Sequence, residues 1–303
     1  MSSMPDVART RRAPPDRGQG DAWRERFKFN MDWITRPLFG FLLAGIAVGA
    51  TILGGLAFVV FLSLGCAAAI REWHRLFAKR DFLLPTAITV LTMVAALWWQ
   101  LYFAPAGGPA AHLGVVAILL IGCLCNLLVG AWRREAPLAH AAGPLYIALP
   151  ALSLLILRQS PEHPVWLVLM VFLAVWATDT GALFSGNLIG GPKLAPTLSP
   201  NKTWAGFFGG TACAAVITGA VAAALKTDIP VAAMFGVALA LAGHAGDLFE
   251  SMIKRRVGRK DSGGLIPGHG GVLDRIDSIL FAAPAAAVLV LVFALDPLAG
   301  YRP

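Results

Sequence analysis

Long stretches without a charged residue constrain this chain more than any other feature. No Asp, Glu, Lys or Arg occurs from 37 to 70 or from 82 to 132. A helix of about 20 apolar residues crosses the roughly 30 Å hydrocarbon core of a bilayer. Each stretch is therefore too long for one span, and a turn within it would divide it into two helices. With 57% hydrophobic and only 14% charged residues, the chain cannot bury its apolar surface in one water-soluble core.

Turn-forming residues divide these two stretches. Gly54 and Gly55 interrupt the first, and the Pro- and Gly-rich residues 105–109 interrupt the second. Further apolar segments are predicted as spans at about 141–157, 163–181, 204–225, 229–247 and 278–295. The sequence therefore predicts an all-α, polytopic membrane protein with about nine transmembrane helices.

The distribution of basic residues predicts a cytoplasmic N-terminus. If the spans alternate from a tail that lies inside, all of the 25 Lys and Arg residues except Arg158, Lys226 and Arg302 fall in cytoplasmic segments. Such a bias is typical of cytoplasmic loops. The net charge of +8 is thus interpreted as a topology signal that also suits anionic lipids and nucleotide phosphates, and no nucleic-acid partner is predicted. We expect a multi-pass protein of the cytoplasmic (inner) membrane.

The domain organisation follows from the same charge pattern. Residues 1–29 lack apolar periodicity and contain Arg, Pro and Gly, which is typical of a disordered tail. Residues 30–303 are predicted to form a single transmembrane catalytic domain. Its C-terminal half, about 176–295, contains the two longest cytoplasmic segments between spans, 182–203 and 248–277, and we expect the functional site there.

The C-terminal polar segment contains two pairs of carboxylates. Asp247 and Glu250 are three residues apart at the predicted end of one span, and Asp274 and Asp277 are three apart where the last span begins. Residues with this spacing share a helix face. Mg²⁺ prefers carboxylate oxygens and keeps waters that a phosphate can replace. Because carboxylates at membrane depth are costly, the two pairs indicate a metal site.

A basic, glycine-rich loop joins the two pairs. Its basic residues are Lys254, Arg255, Arg256, Arg259 and Lys260, and His269 lies among its glycines. Cationic side chains neutralise a triphosphate and a leaving pyrophosphate, and glycines let the backbone approach phosphate oxygens. A basic loop alone is usually a topology signal, and acids three apart are usually caps or ion pairs. The whole constellation favours a site for phosphate chemistry.

The second polar segment favours phosphate binding as well. Asp179 lies near the end of a predicted span, and Lys193 and Lys202 flank Ser199 and Asn201. We expect Ser199 or Asn201 to be the N-cap of the next helix. A helix N-terminus beside a lysine is a natural phosphate site. No Walker-type glycine motif with Lys and Ser/Thr occurs, which excludes a P-loop ATPase.

The residues alone leave two function classes open. Intramembrane acids and broken helices also suit an ion-coupled transporter or a channel. Transporter sites lie near the bilayer midplane, whereas the polar residues here gather on one predicted side. This distribution favours a metal-dependent enzyme that acts on phosphates.

Three motifs resemble those of the phosphatidate cytidylyltransferase (CDP-diacylglycerol synthase) family. Between Ser251 and Asp277 they read Ser-x-x-Lys-Arg, Lys260-Asp261 and Pro267-x-His-Gly-Gly-x-x-Asp-Arg-x-Asp. A second block reads Asp-Thr-Gly-Ala at 179–182, Lys-Leu-Ala-Pro at 193–196 and Ser-Pro-x-Lys-Thr-Trp at 199–204, and Glu72-Trp73 fits the family too. Asn201 stands where relatives often carry Lys or Gly. The resemblance runs from about residue 36 to 295.

The resemblance implies an activity and a set of residues. It implies transfer of a cytidylyl group from CTP to phosphatidic acid, which gives CDP-diacylglycerol and pyrophosphate. It also implies Mg²⁺ in a two-cation site, a homodimer in the bilayer, and a site that faces the cytoplasm and lipid. A related nucleotidyltransferase with another lipid phosphate or nucleotide stays an alternative.

Residue roles are carried over in the same way. The implied metal ligands are Asp247 and Asp274, with Glu250 and Asp277 as second choices. The implied CTP-binding residues are Ser199, Lys202, Thr203 and Asp179. The implied catalytic set comprises Asp247, Asp274, Lys254, Arg255, Lys260, His269 and Arg275. Within this set, the Lys and Arg side chains hold the lipid phosphate or pyrophosphate, and His269 shapes the loop or binds phosphate.

Overall fold

The computed structural model describes residues 40–79, 81–104, 109–264, 270–298 and 300. Most of these residues are helical, and one small hairpin contains the described strands. The helices are α1 (Gly40–Leu53), α2 (Gly55–Phe77), α3 (Leu83–Tyr102), α4 (Pro109–Arg133), α5 (Pro137–Gly143), α6 (Leu149–Arg158), α7 (Pro164–Leu188), α8 (Trp204–Leu225), α9 (Ile229–Arg256) and α10 (Leu273–Leu291). The hairpin strands are β1 (Lys193–Ala195) and β2 (Ser199–Thr203).

The prediction of an all-α polytopic membrane protein is confirmed. A π-helical turn, Pro144–Ala148, joins α5 to α6, and this rod is one of seven helical segments in the described chain that are long and apolar enough to cross a membrane. The other six are α2, α3, α4, α7, α8 and α9. Helix α1 is shorter, and α10 has three charged residues among its first five. The count of nine spans and the cytoplasmic N-terminus stay predictions, and the predicted tail, 1–29, lies outside the described residues.

The glycine break between the first two helices is confirmed. Gly54 and Gly55 adopt φ angles of 62° and 50°, a region that glycine enters without the steric cost of a Cβ. The Arg158 guanidinium donates hydrogen bonds to the carbonyl oxygens of Thr51 at 2.6 Å and Ile52 at 3.2 Å. These carbonyls belong to the last turn of α1 and have no partner within that helix. An arginine from the end of α6 therefore caps α1.

Two helices continue past their predicted ends. Helix α7 reaches Leu188 and α9 reaches Arg256, whereas their apolar stretches predicted ends near 181 and 247. Polar residues do not stop a helix when their side chains find partners, and each helix ends only near a glycine with positive φ, Gly190 at 66° and Gly258 at 68°. As a result, Asp179 lies inside a helix and not near its end.

The last four helices pack in sequence, α7 on α8, α8 on α9 and α9 on α10. Glycines permit close approach at these contacts, as the first and the last of them show. A Cβ on Gly210 of α8 would lie 2.6 Å from the carbonyl oxygen of Thr178, and one on Gly246 of α9 would lie 2.5 Å from that of Asp277. The buried apolar core also includes side chains from α2, α3 and α6. This packing brings the polar faces of α7, α9 and α10 together.

Candidate active site

The hairpin determines where α8 begins. Strands β1 and β2 are antiparallel, with Lys193 opposite Thr203 and Ala195 opposite Ser199. The prediction that Ser199 or Asn201 caps α8 is wrong, because both residues lie on β2 and strand pairing keeps the chain extended as far as Thr203. Thr203 is the N-cap, and its hydroxyl oxygen accepts a hydrogen bond from the Gly206 N–H at 3.1 Å.

A cavity of about 600 Å³ lies between α7, the hairpin, the start of α8 and α9. We call it the carboxylate–lysine cavity. Its polar lining comes from α7, the hairpin and α9, and comprises Asp179, Asn187, Lys193, Asn201, Lys202, Thr203, His244 and Asp247. The ammonium of Lys202 forms an ion pair with Asp247. The lining does not include Ser199. Four predicted residues, Asp179, Lys202, Thr203 and Asp247, therefore meet in one cavity.

The carboxylate cluster beside this cavity is formed by α9 and α10. Lys254 links the two helices, since its ammonium nitrogen lies 2.7 Å from Asp274 Oδ1 and 3.2 Å from Glu250 Oε1. Glu250 is fully buried. Asp277, which precedes the predicted span of 278–295, has its pKa raised by burial and by the negative charge of Asp247. The four predicted metal ligands are thus neighbours, and their negative charges repel one another.

Asp274 is the most firmly oriented of these carboxylates. The Ser262 N–H donates to both of its oxygens, at 3.2 and 3.1 Å, and the Gly271 N–H donates to Oδ2 at 2.9 Å. Burial favours the neutral form, but the hydrogen bonds from Lys254 and from Gly271 N–H outweigh this effect and hold the pKa of Asp274 below its usual range. Asp274 is therefore an ionised carboxylate whose orientation is fixed by Lys254 and by two backbone N–H groups.

Glu72 on α2 supports the same loop and was noted in the sequence only as part of a resemblance. It is 1% exposed, and its Oε2 accepts hydrogen bonds from Leu273 N–H at 2.9 Å and from the Ser262 hydroxyl at 3.3 Å. A Cβ on Gly263 or on Gly271 would collide with its carboxylate. The sequence shows only that Glu72 is an acid close to the end of an apolar span. Its partners lie about 200 positions further along the chain, so no local pattern predicts these contacts.

The remaining predicted residues are not gathered in one place. Arg255 Nε donates to the Leu198 carbonyl oxygen at 3.3 Å and so ties α9 to the hairpin. Arg275 lies on the first turn of α10, where its charge acts on Asp179. Lys260 is exposed beyond the end of α9, outside both the cavity and the carboxylate cluster. His269 lies outside the described residues.

The four predicted carboxylate ligands suit Mg²⁺ by their chemistry, although their oxygen atoms do not converge on one point. Within the described ranges, the group whose ligand atoms lie within 4.8 Å of one another is Glu162, His163 and Asp296, at the opposite end of α7. Of the predicted ligands, Asp247 faces Lys202, while Asp274 and Glu250 share Lys254. The Glu250 oxygens are buried and have no well-aligned hydrogen bond to any described group. Carboxylate oxygens of this kind are the ligands that Mg²⁺ prefers.

Comparison with known proteins adds independent information. The model of the Cytidylyltransferase family matches residues 34–293, a range that includes every helix from α1 to α10. The chain is 36% identical over 276 residues to the phosphatidate cytidylyltransferase of Brucella suis biovar 1 (strain 1330). The aligned residues cover 86% of this chain and 94% of the relative. The chain is 40% identical over 244 residues to the phosphatidate cytidylyltransferase of Staphylococcus aureus (strain COL), with 78% and 91% covered.

Proposed function

The chain belongs to the cytidylyltransferase family, and from this premise we propose that it transfers the cytidylyl group of CTP to phosphatidic acid. The products are CDP-diacylglycerol and pyrophosphate, and the enzyme acts in phospholipid biosynthesis. A phosphate oxygen of phosphatidic acid forms a bond to the α-phosphorus of CTP, and the bond from that phosphorus to the bridging oxygen of pyrophosphate breaks. One observation carries the proposal: Lys202, Thr203 and Asp247 meet in a single cavity beside the carboxylate cluster.

The carboxylate–lysine cavity is proposed to bind CTP. Thr203 caps the N-terminus of α8, where backbone N–H groups and the helix dipole favour an anion. Lys202 adds a positive charge at this point, and Lys193 adds another on the neighbouring strand. Triphosphate binding would give the Lys202 ammonium a second anionic partner beside Asp247. Asp179 on the opposite wall is available to the nucleotide or to a cation bound with it.

The carboxylates are proposed to hold Mg²⁺, with Asp247 and Asp274 as the main ligands and Glu250 and Asp277 as further ones. A bound Mg²⁺ supplies positive charge that offsets the charge of the triphosphate and of the departing pyrophosphate. Lys254 keeps Asp274 and Glu250 in place by contacting both carboxylates. The Ser262 and Gly271 N–H groups fix the direction in which Asp274 presents its oxygens.

The nucleophile needs positioning more than it needs a base. A phosphate monoester has a second pKa near 6, so the attacking oxygen is already anionic at about pH 7. Phosphoryl-type transfers depend on in-line placement and on neutralising charge. The chain therefore has to bring two anionic substrates together, and its lysines, arginines and helix N-terminus are suited to that task.

Location and assembly are proposed on the basis of charge and resemblance. The multi-pass fold and the bacterial relatives support the inner membrane. The positive-inside bias supports a site that opens to the cytoplasm. The homodimer rests on the family resemblance, and light scattering of the protein in nanodiscs measures it directly.

The direct test is an assay with purified protein. With Mg²⁺, CTP and phosphatidic acid, we expect release of pyrophosphate and incorporation of labelled cytidylate into lipid, both lost on chelation. Competition among CTP, dCTP, ATP and GTP tests the nucleotide. If no label enters lipid under any of these conditions while the protein is folded, the proposed function is wrong and the transporter class has to be reconsidered.

A further inference from the structure

A second cavity, of about 450 Å³, contains a cluster of arginines that the proposed reaction has not used. Arg71 and Arg75 from the end of α2 line it together with Arg259 and residues 261–264. We call it the arginine pocket. It shares no lining residue with the carboxylate–lysine cavity.

The charge of the arginine pocket is strongly unbalanced. Three guanidinium groups line it against one carboxylate, that of Asp261. Within the part of the chain that the structure describes, no ion pair to a carboxylate engages Arg71, Arg75 or Arg259. The Arg71 guanidinium lies 5.4 Å from the centre of the Phe82 ring, a cation–π contact that restricts its position. Guanidinium groups match phosphate oxygens in pairs, so this lining suits a phosphate.

The pocket is directly connected to the proposed catalytic carboxylates. Ser262 forms part of its wall, and the Ser262 N–H donates to both oxygens of Asp274. The Ser262 hydroxyl donates to Glu72, which is the neighbour of Arg71 on α2. A phosphate in the pocket would therefore contact the same segment that orients Asp274. This connection places the pocket next to the chemistry and not at an unrelated surface.

The position of the arginines on α2 favours a lipid as the source of the phosphate. Helix α2 is one of the long apolar helices, and Arg71 and Arg75 are exposed on its last two turns. Basic residues where a span leaves the bilayer lie at the level of the lipid headgroups. Two of the other proposed phosphate-binding groups already have partners, since Lys254 contacts Glu250 and Asp274, and Arg255 contacts the Leu198 carbonyl oxygen.

We propose that the arginine pocket formed by Arg71, Arg75 and Arg259 binds the phosphomonoester headgroup of phosphatidic acid and presents it beside Asp274. The assignment rests on the proposed function for the identity of the lipid. It moves the lipid phosphate from the residues that the resemblance implies, Lys254, Arg255, Lys260 and Arg275, to a pocket that includes the end of α2. Neither Arg71 nor Arg75 belongs to the polar segments 182–203 and 248–277.

The kinetic test separates the two substrates. Arg71→Gln, Arg75→Gln and Arg259→Gln, singly and combined, are assayed in nanodiscs of varied phosphatidic acid content. We expect KM for phosphatidic acid to rise about tenfold for each single change, since each removes a charge-assisted hydrogen bond, while KM for CTP stays constant. Arg→Lys at the same positions keeps the positive charge but not the paired hydrogen bonds of a guanidinium. We expect these variants to recover part of the affinity for phosphatidic acid.

The matched control is Arg134→Gln. Arg134 is also an exposed arginine beyond the end of an apolar helix, and it lies outside the arginine pocket. We expect both KM values to stay unchanged in this variant. Thermal unfolding of every variant in CTP-free buffer shows whether the fold is retained, and the single variants serve if the triple variant does not fold.

A binding measurement without turnover distinguishes the sources of phosphate. We expect dioctanoyl phosphatidic acid to bind the purified protein, and the triple variant to lose this binding at least tenfold. If dioctanoyl phosphatidylglycerol competes equally well, the pocket is a general contact for anionic lipid and the proposal is wrong. If the variants instead weaken inhibition by pyrophosphate or raise KM for CTP, the phosphate comes from the aqueous substrates and the proposal is equally wrong.

The proposal and the enzyme function fail in different ways. Arginine-dependent binding of phosphatidic acid in a protein that transfers no cytidylate would leave the pocket assigned and the function wrong. Cytidylyl transfer with unchanged KM for phosphatidic acid in all three variants would leave the function intact and overturn the pocket.

Discussion

The two cavities beside the carboxylate cluster differ in the charge that lines them. The carboxylate–lysine cavity combines Asp179 and Asp247 with two lysines, whereas the arginine pocket presents three guanidinium groups and one carboxylate. Mixed charge suits a cation and an anion that arrive together, as a nucleotide does with its metal. Nearly uniform positive charge suits a bare anion. We interpret this difference as the way in which one site distinguishes CTP from a lipid phosphate.

The largest expected effect comes from Asp274, which the Ser262 N–H in the wall of the arginine pocket orients and which Lys254 contacts. Asp274→Asn keeps the shape of the side chain but removes the charge that we propose binds Mg²⁺. We expect kcat to fall by about 100- to 1,000-fold, the usual range for loss of an electrostatic stabiliser, with binding of phosphatidic acid retained. Steady-state pyrophosphate release measures the change.

The control for Asp274 is Glu162→Gln, which neutralises an exposed acid at the opposite end of α7. We expect normal activity from it. Near-normal activity of Asp274→Asn in folded protein would contradict the metal assignment.

The next effect tests the carboxylate–lysine cavity alone. Lys202→Gln removes the ammonium that pairs with Asp247 and is proposed to contact CTP. Because charge-assisted hydrogen bonds contribute about 1.5–3 kcal/mol, we expect KM for CTP to rise by about 10- to 100-fold without a matching rise for phosphatidic acid. Lys226→Gln, at the other end of α8, should leave both values unchanged. If KM rises equally for CTP and for phosphatidic acid, Lys202 does not act on CTP alone.

A smaller effect is expected at Glu72, which contacts Ser262 in the wall of the arginine pocket and Leu273 beside Asp274. Glu72→Ala leaves the Leu273 N–H and the Ser262 hydroxyl without their acceptor, and we expect a loss of stability of about 1–3 kcal/mol. Because Ser262 touches Asp274 and the arginine pocket, both KM values should rise together. Thermal unfolding and steady-state kinetics measure the two effects.

The conservative variant Glu72→Gln keeps an acceptor oxygen and should recover most of the substrate affinity. If Glu72→Ala lowers stability but leaves both KM values unchanged, Glu72 has a structural role and does not position the loop.

The last expected effect is on stability alone and concerns the packing between α9 and α10. Gly246→Ala would place a Cβ 2.5 Å from the Asp277 carbonyl oxygen, so α9 and α10 must separate. Such overpacking costs about 1–3 kcal/mol. Gly65→Ala meets nothing within 4 Å and should raise helix stability by up to about 1 kcal/mol. Equal thermal stability of the two variants would show that the close approach is not needed.

Much of the fold could be predicted because the bilayer imposes strong local rules. Uncharged stretches of the right length predicted the helices, and Gly54 and Gly55 predicted the first break. The ends of α7 and α9 could not be predicted in the same way. Hydropathy falls where polar residues begin, but a helix continues when those residues have partners, as Lys254 has with Glu250.

The candidate site was predicted in composition but not in arrangement. Asp247, Asp274 and Lys202 were identified from residue chemistry and resemblance. The hairpin between β1 and β2 was not foreseen, and for that reason the N-cap of α8 was assigned to Ser199 or Asn201 when it is Thr203. Short strands without alternating hydrophobicity leave no periodic signal.

The sequence by itself determined that this protein is a helical membrane protein of the cytidylyltransferase family, because hydropathy and motif spacing are local properties of the chain. Only the tertiary structure decided which charges meet. Glu72 accepts a hydrogen bond from Leu273 N–H, and Arg71 shares a pocket with Arg259. The two residues of each pair are about 190 to 200 positions apart in the sequence. Pairing over such distances depends on how α2 packs beside the start of α10, and no local pattern records that contact.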